Sequence, residues 1–87
     1  MKSEWIAEYE GNPIKVTNRW FTREKLFVNS ELQDDRLSFM SISSNLTGIV
    51  WNKNGEKQEI KVNIGGCIKV SCRLFIDNKH VEVEQTK

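Results

Sequence analysis

The chain has few of the residues on which catalysis and metal binding usually depend. It carries one histidine, His80, and two cysteines, Cys67 and Cys72. Two thiols separated by four residues and a distant imidazole do not supply the four ligands of a closed zinc site. The acidic segment 31–35 lacks the ligand spacing and the central glycine of a calcium loop, and no glycine-rich phosphate loop is present. The sequence therefore predicts a protein that is not an enzyme and that uses no metal or cofactor.

The two cysteines are predicted to be free thiols. Five positions along an extended strand place their Cα atoms about 16 Å apart, which is beyond the reach of a disulfide. Cys72 shares a strand face with apolar residues, so we expect a small core residue there. Cys67 follows Gly65-Gly66 on the opposite parity and is the one nucleophile worth testing. A thiol-dependent enzyme built on Cys67 is the least favoured hypothesis.

Long apolar runs and a large charge excess are also missing. No segment approaches the roughly 20 apolar residues of a membrane span, and the N-terminal stretch has no apolar signal region, so a soluble cytoplasmic protein without a membrane partner is expected. The chain has 13 basic and 12 acidic side chains, a formal net charge of +1. This balance disfavours a dedicated nucleic-acid-binding module and favours a protein partner or self-association.

The dominant pattern in the 87 residues is period-two alternation, which predicts strands. The run at 30–36 is predicted to be a loop or at most one helical turn, and its acidic residues either a solvated loop or protection of a strand edge. Asn54-Gly55 is predicted to be a type I′ hairpin turn, in which both central residues need positive φ. The sequence therefore predicts a single all-β domain over residues 1–87, either an antiparallel β-sandwich or a curved meander of about eight short strands. The predicted strands are 4–9, 14–18, 25–29, 37–43, 46–52, 57–65, 68–76 and 80–84.

An internal similarity relates residues 14–32 to residues 60–81. Both segments contain Ile-Lys-Val, a connection, and then Leu-Phe followed by Val-Asn or Ile-Asp. One interpretation is a pair of equivalent hairpins that frame a site between two sheets. The simpler interpretation, which we favour from sequence, is that strands with similar turns resemble one another in composition. In either case Asn29 and Asp77 suit turns at strand ends.

The best candidates for a binding surface are aromatic and basic. Such a surface would stack bases and contact phosphates in a single-stranded nucleic acid, or would hold a small ligand. Glu24 lies in the same segment and counts against this interpretation, and small β domains also use aromatic residues to build their core. Packing at one end of the core is therefore the favoured role of the Trp-Phe pair. The candidate residues are Arg19, Trp20, Phe21, Arg23 and Trp51.

About half of the chain resembles the β-rich domains of the Fas apoptosis inhibitory molecule family. The resemblance lies in IKVTNRWFTREKLFVNSELQDD (14–35) and CRLFIDNKHV (72–81), where a Leu-Phe strand core leads into a hairpin. It implies a compact antiparallel β-sandwich that acts through protein contacts, without catalysis or cofactor. The leading hypothesis is thus a non-enzymatic interaction module that uses a strand edge or the corner at Trp20-Phe21. The alternative is a single-stranded nucleic-acid or small-ligand binder.

Overall fold

The computed structural model describes residues 2–19, 23–37, 43–65 and 71–86, and within these ranges the chain is built from β-strands and turns. Nine strands lie within these ranges. In chain order they are β1 (Lys2–Tyr9), β2 (Asn12–Arg19), β3 (Arg23–Val28), β4 (Glu31–Leu37), β5 (Ser43–Trp51), β6 (Lys57–Gly65), β7 (Ser71–Ile76), β8 (Lys79–Val81) and β9 (Glu84–Gln85).

The strands form two antiparallel sheets that pack face to face, which confirms the predicted all-β sandwich. The first sheet has the order β4-β3-β2-β1-β9 and the second the order β5-β6-β7-β8. Alternate side chains of both sheets point inward and form one core, because successive residues of a strand face opposite sides. The buried core consists of Trp5, Ile14, Val16, Leu26, Val28, Leu46, Val50, Ile60, Val62, Ile64, Leu74 and Ile76.

Two predicted segments need correction, and two others lie partly outside the described residues. The run at 30–36 is not a loop, since Glu31–Leu37 pairs with β3 as an edge strand. Its polar sequence follows from that position, because edge strands commonly carry charges that discourage pairing with other chains. The predicted strand at 80–84 is divided into β8 and β9, which belong to different sheets. Most of the predicted strand at 37–43 and the start of the one at 68–76 lie outside the described residues.

The turn at Asn54-Gly55 joins β5 to β6 as predicted, but its type was wrong. Gly55 has a φ of +78°, whereas Asn54 does not have positive φ. The Gly55 N–H donates to the Asn52 carbonyl and the Asn52 N–H donates to the Glu56 carbonyl, so the loop is longer than a two-residue turn. Positive φ at two successive residues occurs instead at the β1–β2, β3–β4 and β7–β8 turns, namely at Glu10-Gly11, Asn29-Ser30 and Asp77-Asn78.

The two internally similar segments occupy equivalent places in the two sheets, so composition alone does not account for their likeness. The strands β1–β4 form one meander and β5–β8 form another, with the same residue pairs opposite each other. The first sheet pairs Ile14 with Val28, Lys15 with Phe27 and Val16 with Leu26, and the second pairs Ile60 with Ile76, Lys61 with Phe75 and Val62 with Leu74. The paired residues of β2–β3 therefore have counterparts in β6–β7.

The equivalence extends to the hydrogen bonds at the turns. The Asn29 N–H donates to the Pro13 carbonyl and the Asp77 N–H donates to the Glu59 carbonyl, each at 2.9 Å. Asp77 Oδ1 also accepts the Glu59 N–H at 3.1 Å. Pro13 stands at the position of Glu59 and has no N–H to donate to a carboxylate. The residue equivalent to Asp77 is accordingly Asn29. The prediction that Asn29 and Asp77 end strands at turns is confirmed.

The four tight turns lie at one end of the sandwich, which we call the turn end. Asn12 Nδ2, beside the β1–β2 turn, donates to the Trp51 carbonyl at 3.0 Å. The Lys53 N–H donates to Glu10 Oε1 at 3.2 Å, which joins the β5–β6 turn to the β1–β2 turn. Since neighbouring strands are antiparallel, Arg19 and Arg23 lie at the opposite end.

Candidate functional site

The structure does not bring the predicted site residues together on one surface. Arg19 ends β2 and Arg23 begins β3, and both are exposed at the end opposite the turns. Trp51 is 57% exposed at the turn end, where its carbonyl accepts from Asn12. Asn12 and Arg19 are seven positions apart along β2, a distance of about 23 Å. Trp20 and Phe21 lie outside the described residues, so their role stays a prediction.

Glu24 is buried and does not belong to the surface on which the sequence interpretation placed it. The residue is 3% exposed and its neighbour Asn18 is 6% exposed. Asn18 Nδ2 donates a 2.7 Å hydrogen bond to Glu24 Oε2. Parity along the strands was the available signal, since Glu24 alternates with Leu26 and Val28, and Asn18 with Val16. Glu24 was nevertheless interpreted as a surface charge, because glutamate is rarely buried unless it is paired.

Burial perturbs two ionisable groups in the interior around the Asn18–Glu24 pair. Burial raises the pKa of Glu24, and the hydrogen bond from Asn18 offsets part of that rise. Burial, followed by the nearby Glu24 carboxyl, raises the pKa of Cys72 to about 12. Cys72 is half-buried and packs against the core, which confirms the predicted core role. Such a thiol is a poor nucleophile at neutral pH, and Cys67 lies outside the described residues.

An apolar row crosses the outer face of the first sheet. It consists of Ile6 on β1, Lys15 on β2, Phe27 on β3 and Leu32 on β4, each opposite the next. Ile6 is 40% exposed and Leu32 is 50% exposed. The Lys15 Nζ atom lies 5.1 Å from the centroid of the half-buried Phe27 ring, so the lysine also covers apolar surface. Three strand spacings separate Ile6 from Leu32, about 14 Å. We call these four residues the apolar row.

The second sheet carries the counterpart of this row, and its ends are polar. Thr47 stands where the first sheet has Ile6, and His80 stands where it has Leu32. Lys61 and Phe75 occupy the two central positions. The His80 ring packs edge-on against Phe75, with ring centroids 5.6 Å apart. Exposed apolar side chains at the two ends are therefore a property of the first sheet and not a requirement of the fold.

The edges of β5 and β1 are each partly covered by another segment of the chain. Asp34 Oδ2 accepts the backbone N–H of Thr47 at 2.8 Å, so β4 covers part of the β5 edge. On the other side, β9 pairs with Trp5 and Ile6 of β1. The Thr86 N–H adds a bond to the Glu4 carbonyl at 2.8 Å.

A shallow groove lies along the β4–β5 boundary at the turn end. It has a volume of about 340 Å³ and includes the exposed ring of Trp51 together with Gln33 and Lys57. Ligand sites usually enclose most of their ligand in an apolar cleft. This groove is open and largely polar, so it supports a small-ligand site less well than the outer face supports a protein contact.

Other kinds of site find no support within the described ranges. No cluster of three or more His, Cys, Asp or Glu side chains there has the arrangement needed to hold a metal ion. None of the described segments forms a helix long and apolar enough to cross a membrane.

Comparison of the chain with protein-family models, with curated proteins and with solved structures finds no match. The interpretation of the outer face therefore rests on the geometry of this chain and on the comparison between its own two sheets.

Proposed function

We propose that the protein is a non-enzymatic interaction module that binds another protein through the outer face of its first sheet. The observation that carries this proposal is the apolar row, compared with the polar ends of its counterpart on the second sheet. The same meander holds Thr47 and His80 at the two end positions, so stability does not explain Ile6 and Leu32. Exposed apolar side chains grouped on one face are typical of a contact surface.

The free energy of binding would come from the apolar surface of this row that a partner removes from water. Burying an exposed isoleucine or leucine side chain contributes about 1.5–3 kcal/mol when burial is complete. Ile6 and Leu32 are already partly covered, so each offers a fraction of that value. The half-buried Phe27 and the stem of Lys15 extend the apolar surface between them. A row of this kind suits a modest, specific contact with a partner segment.

The alternatives from the sequence have weaker support. A strand-edge contact would have to compete with Asp34 at the β5 edge and with β9 at the β1 edge. At the outer edge of the first sheet it would meet the charged sequence of β4, which disfavours pairing with another chain. A nucleic-acid or small-ligand platform that joins Trp51 to the arginines would have to span the length of the sandwich. The resemblance to the Fas apoptosis inhibitory molecule family implies protein contacts without catalysis, in agreement with the proposal, and it stays a prediction.

The proposal is tested by giving the first sheet the end residues of the second. The double variant Ile6→Thr/Leu32→His introduces side chains that this fold already holds at the equivalent positions, so the variant should fold. Immobilised wild type and variant are compared for retention of proteins from an extract of the source cells, by quantitative mass spectrometry. We expect a specific protein whose retention by the variant falls by about tenfold, as loss of two apolar anchors predicts.

The matched control changes the counterpart row. Thr47→Ser/His80→Gln alters the same positions on the second sheet and should leave retention unchanged. Circular dichroism and the thermal unfolding midpoint establish that each variant is folded. Equal retention by wild type and by the folded Ile6→Thr/Leu32→His variant would contradict the proposed function.

A further inference from the structure

The structure assigns a chemical class to the partner of this face: an acidic segment that carries apolar side chains. This inference rests on the proposed function, because it concerns the same surface. It comes from the charges on the central hairpin β2–β3, whose outward side chains are cationic at four positions and acidic at none within the described residues. These cations are Lys15, Arg19, Arg23 and Lys25.

Burial of Glu24 creates this charge separation. Glu24 is the single acidic residue in the described parts of β2 and β3, and it points into the core. The chain as a whole is nearly neutral, with a formal net charge of +1. The outer face of the hairpin is thus far more basic than the composition suggests, and its field attracts groups of opposite charge.

The second sheet again supplies the internal comparison. The counterparts of Lys15 and Lys25 are Lys61 and Arg73, so two cations are shared by both hairpins. The counterparts of Arg19 and Arg23 are Gly65 and Ser71, which carry no charge. Glu59 takes the position of Pro13, and its carboxylate lies 3.5 Å from Lys61 Nζ. Lys57 adds a third outward cation to β6, so β6–β7 presents three cations and one acid where β2–β3 presents four cations and no acid. The excess of positive charge is therefore larger on the hairpin that carries the centre of the apolar row.

The borders of this basic strip favour a short peptide segment over a nucleic acid. Glu4 and Glu8 lie on the neighbouring strand β1, and Glu84 of β9 stands opposite Ile6. On the other side, Asp35 Oδ2 lies 3.1 Å from Arg23 Nη1. A long polyanion would meet these carboxylates at both sides of the strip. A segment with a few acidic residues would avoid them and place its apolar side chains on Ile6 and Leu32.

The dimensions of the row indicate the spacing of the apolar anchors. Ile6 and Leu32 lie about 14 Å apart, and four residues of an extended chain span about 13 Å. Side chains at positions i, i+2 and i+4 of an extended segment point to the same side. Apolar residues at i and i+4 would reach the two ends of the row, and an acidic residue at i+2 would lie near Lys15.

The test measures binding of defined probes by fluorescence anisotropy. The first is a labelled ten-residue peptide with two leucines four positions apart and aspartate at the other internal positions. Its charge-reversed copy has lysine in place of aspartate, and a third copy has serine in place of leucine. The fourth probe is a ten-nucleotide oligothymidine. We expect the acidic peptide to bind at low salt and the charge-reversed copy to bind at least about tenfold more weakly.

Variants of the protein locate the binding on the first sheet. Lys15→Gln/Lys25→Gln should weaken the acidic peptide at least about fivefold at 50 mM salt, and raising salt to 0.5 M should remove most of the difference, because screening acts on exposed charges. The matched control Lys61→Gln/Arg73→Gln changes the counterpart cations and should alter binding less than about twofold. Ile6→Thr/Leu32→His should lower the affinity for the acidic peptide to that of wild type for the serine copy.

Each outcome supports or overturns the inference. Equal binding of the acidic and charge-reversed peptides, no effect of Lys15→Gln/Lys25→Gln, or tighter binding of the oligothymidine would overturn it. Failure of the acidic peptide to bind overturns it as well, even when retention of a cellular protein still depends on Ile6 and Leu32. That last result would leave the proposed function standing, whereas loss of the dependence on Ile6 and Leu32 would remove both.

Discussion

The buried pair Asn18–Glu24 predicts an unusual dependence of stability on pH. In the wild type, Asn18 Nδ2 donates to Glu24 Oε2 at 2.7 Å. Substituting Glu24 by glutamine removes the carboxylate charge and keeps an oxygen that can accept this hydrogen bond. Asn18 Oδ1 is buried and has no hydrogen-bond partner within the described part of the chain. A buried acceptor of this kind costs about 1–3 kcal/mol, and the new glutamine amide offers it a donor. We therefore expect Glu24→Gln to be about 1–3 kcal/mol more stable than wild type at pH 7.5.

The sign of the pH effect follows from the pKa of Glu24, which burial raises above its ordinary value of 4.5. The folded state then binds this proton more tightly than the unfolded state does. The contribution of Glu24 to the free energy of unfolding is therefore fully present below about pH 4.5. It is lost as pH rises from there through the folded pKa. The advantage of Glu24→Gln should narrow as pH falls from 7.5 toward 4.5.

The assay is urea unfolding of both proteins at several pH values between 4.5 and 8, with thermal melting as a second readout. For a chain of this size, 1 kcal/mol corresponds to a shift of about 4–8 °C in the melting midpoint. Glu82→Gln changes an exposed glutamate and serves as the matched control. The reasoning is refuted if Glu24→Gln is less stable than wild type at pH 7.5, or if both show the same pH dependence.

Three further predictions concern the core, a turn and the thiol. A methyl group at Gly48 would lie 2.9 Å from Leu26 Cδ2 and 3.1 Å from Gln33 Cβ. Gly48→Ala should therefore lower the free energy of unfolding by about 1–3 kcal/mol. An unchanged urea midpoint would contradict the close approach of β5 to β3 and β4. Ser30 has a φ of +67°, so Ser30→Gly should raise stability by about 0.5 kcal/mol in the same assay, and a loss would contradict the turn geometry. In a Cys67→Ser background, Cys72 should react with iodoacetamide at pH 8 only after unfolding, because a pKa of about 12 leaves about one thiolate in ten thousand. Labelling of the folded protein at the rate of free cysteine would contradict this environment.

The sequence predicted those parts of the fold that alternation controls directly. Ile60, Val62 and Ile64 alternate with polar residues, and β6 follows that pattern along its length. It did not predict β4, because an edge strand is held by backbone pairing with β3 and its charged sequence carries little apolar periodicity. It identified the positive-φ turn at Asn29 by residue type, which is a local property.

The candidate surface could not be found from the sequence, because it depends on register. Ile6 is distant in sequence from Phe27 and Leu32, and the three form one row only when three strand pairings are known. The basic strip was hidden for a related reason. Glu24 lowers the apparent charge of its segment, and only its burial shows that the outer face of β2–β3 carries the cations alone.

Photo-crosslinking from matched positions on the two sheets would show whether a partner protein contacts the outer face of the first sheet. The photoreactive amino acid p-benzoylphenylalanine is placed singly at Ile6, Leu32, Thr47 or His80 in the full chain, which is then irradiated in an extract of the source cells. We expect a discrete protein adduct from positions 6 and 32 and none from positions 47 and 80. Excess wild type should suppress the adduct, whereas excess Ile6→Thr/Leu32→His should not. Equal labelling from both sheets, or an adduct from the second sheet alone, would contradict it.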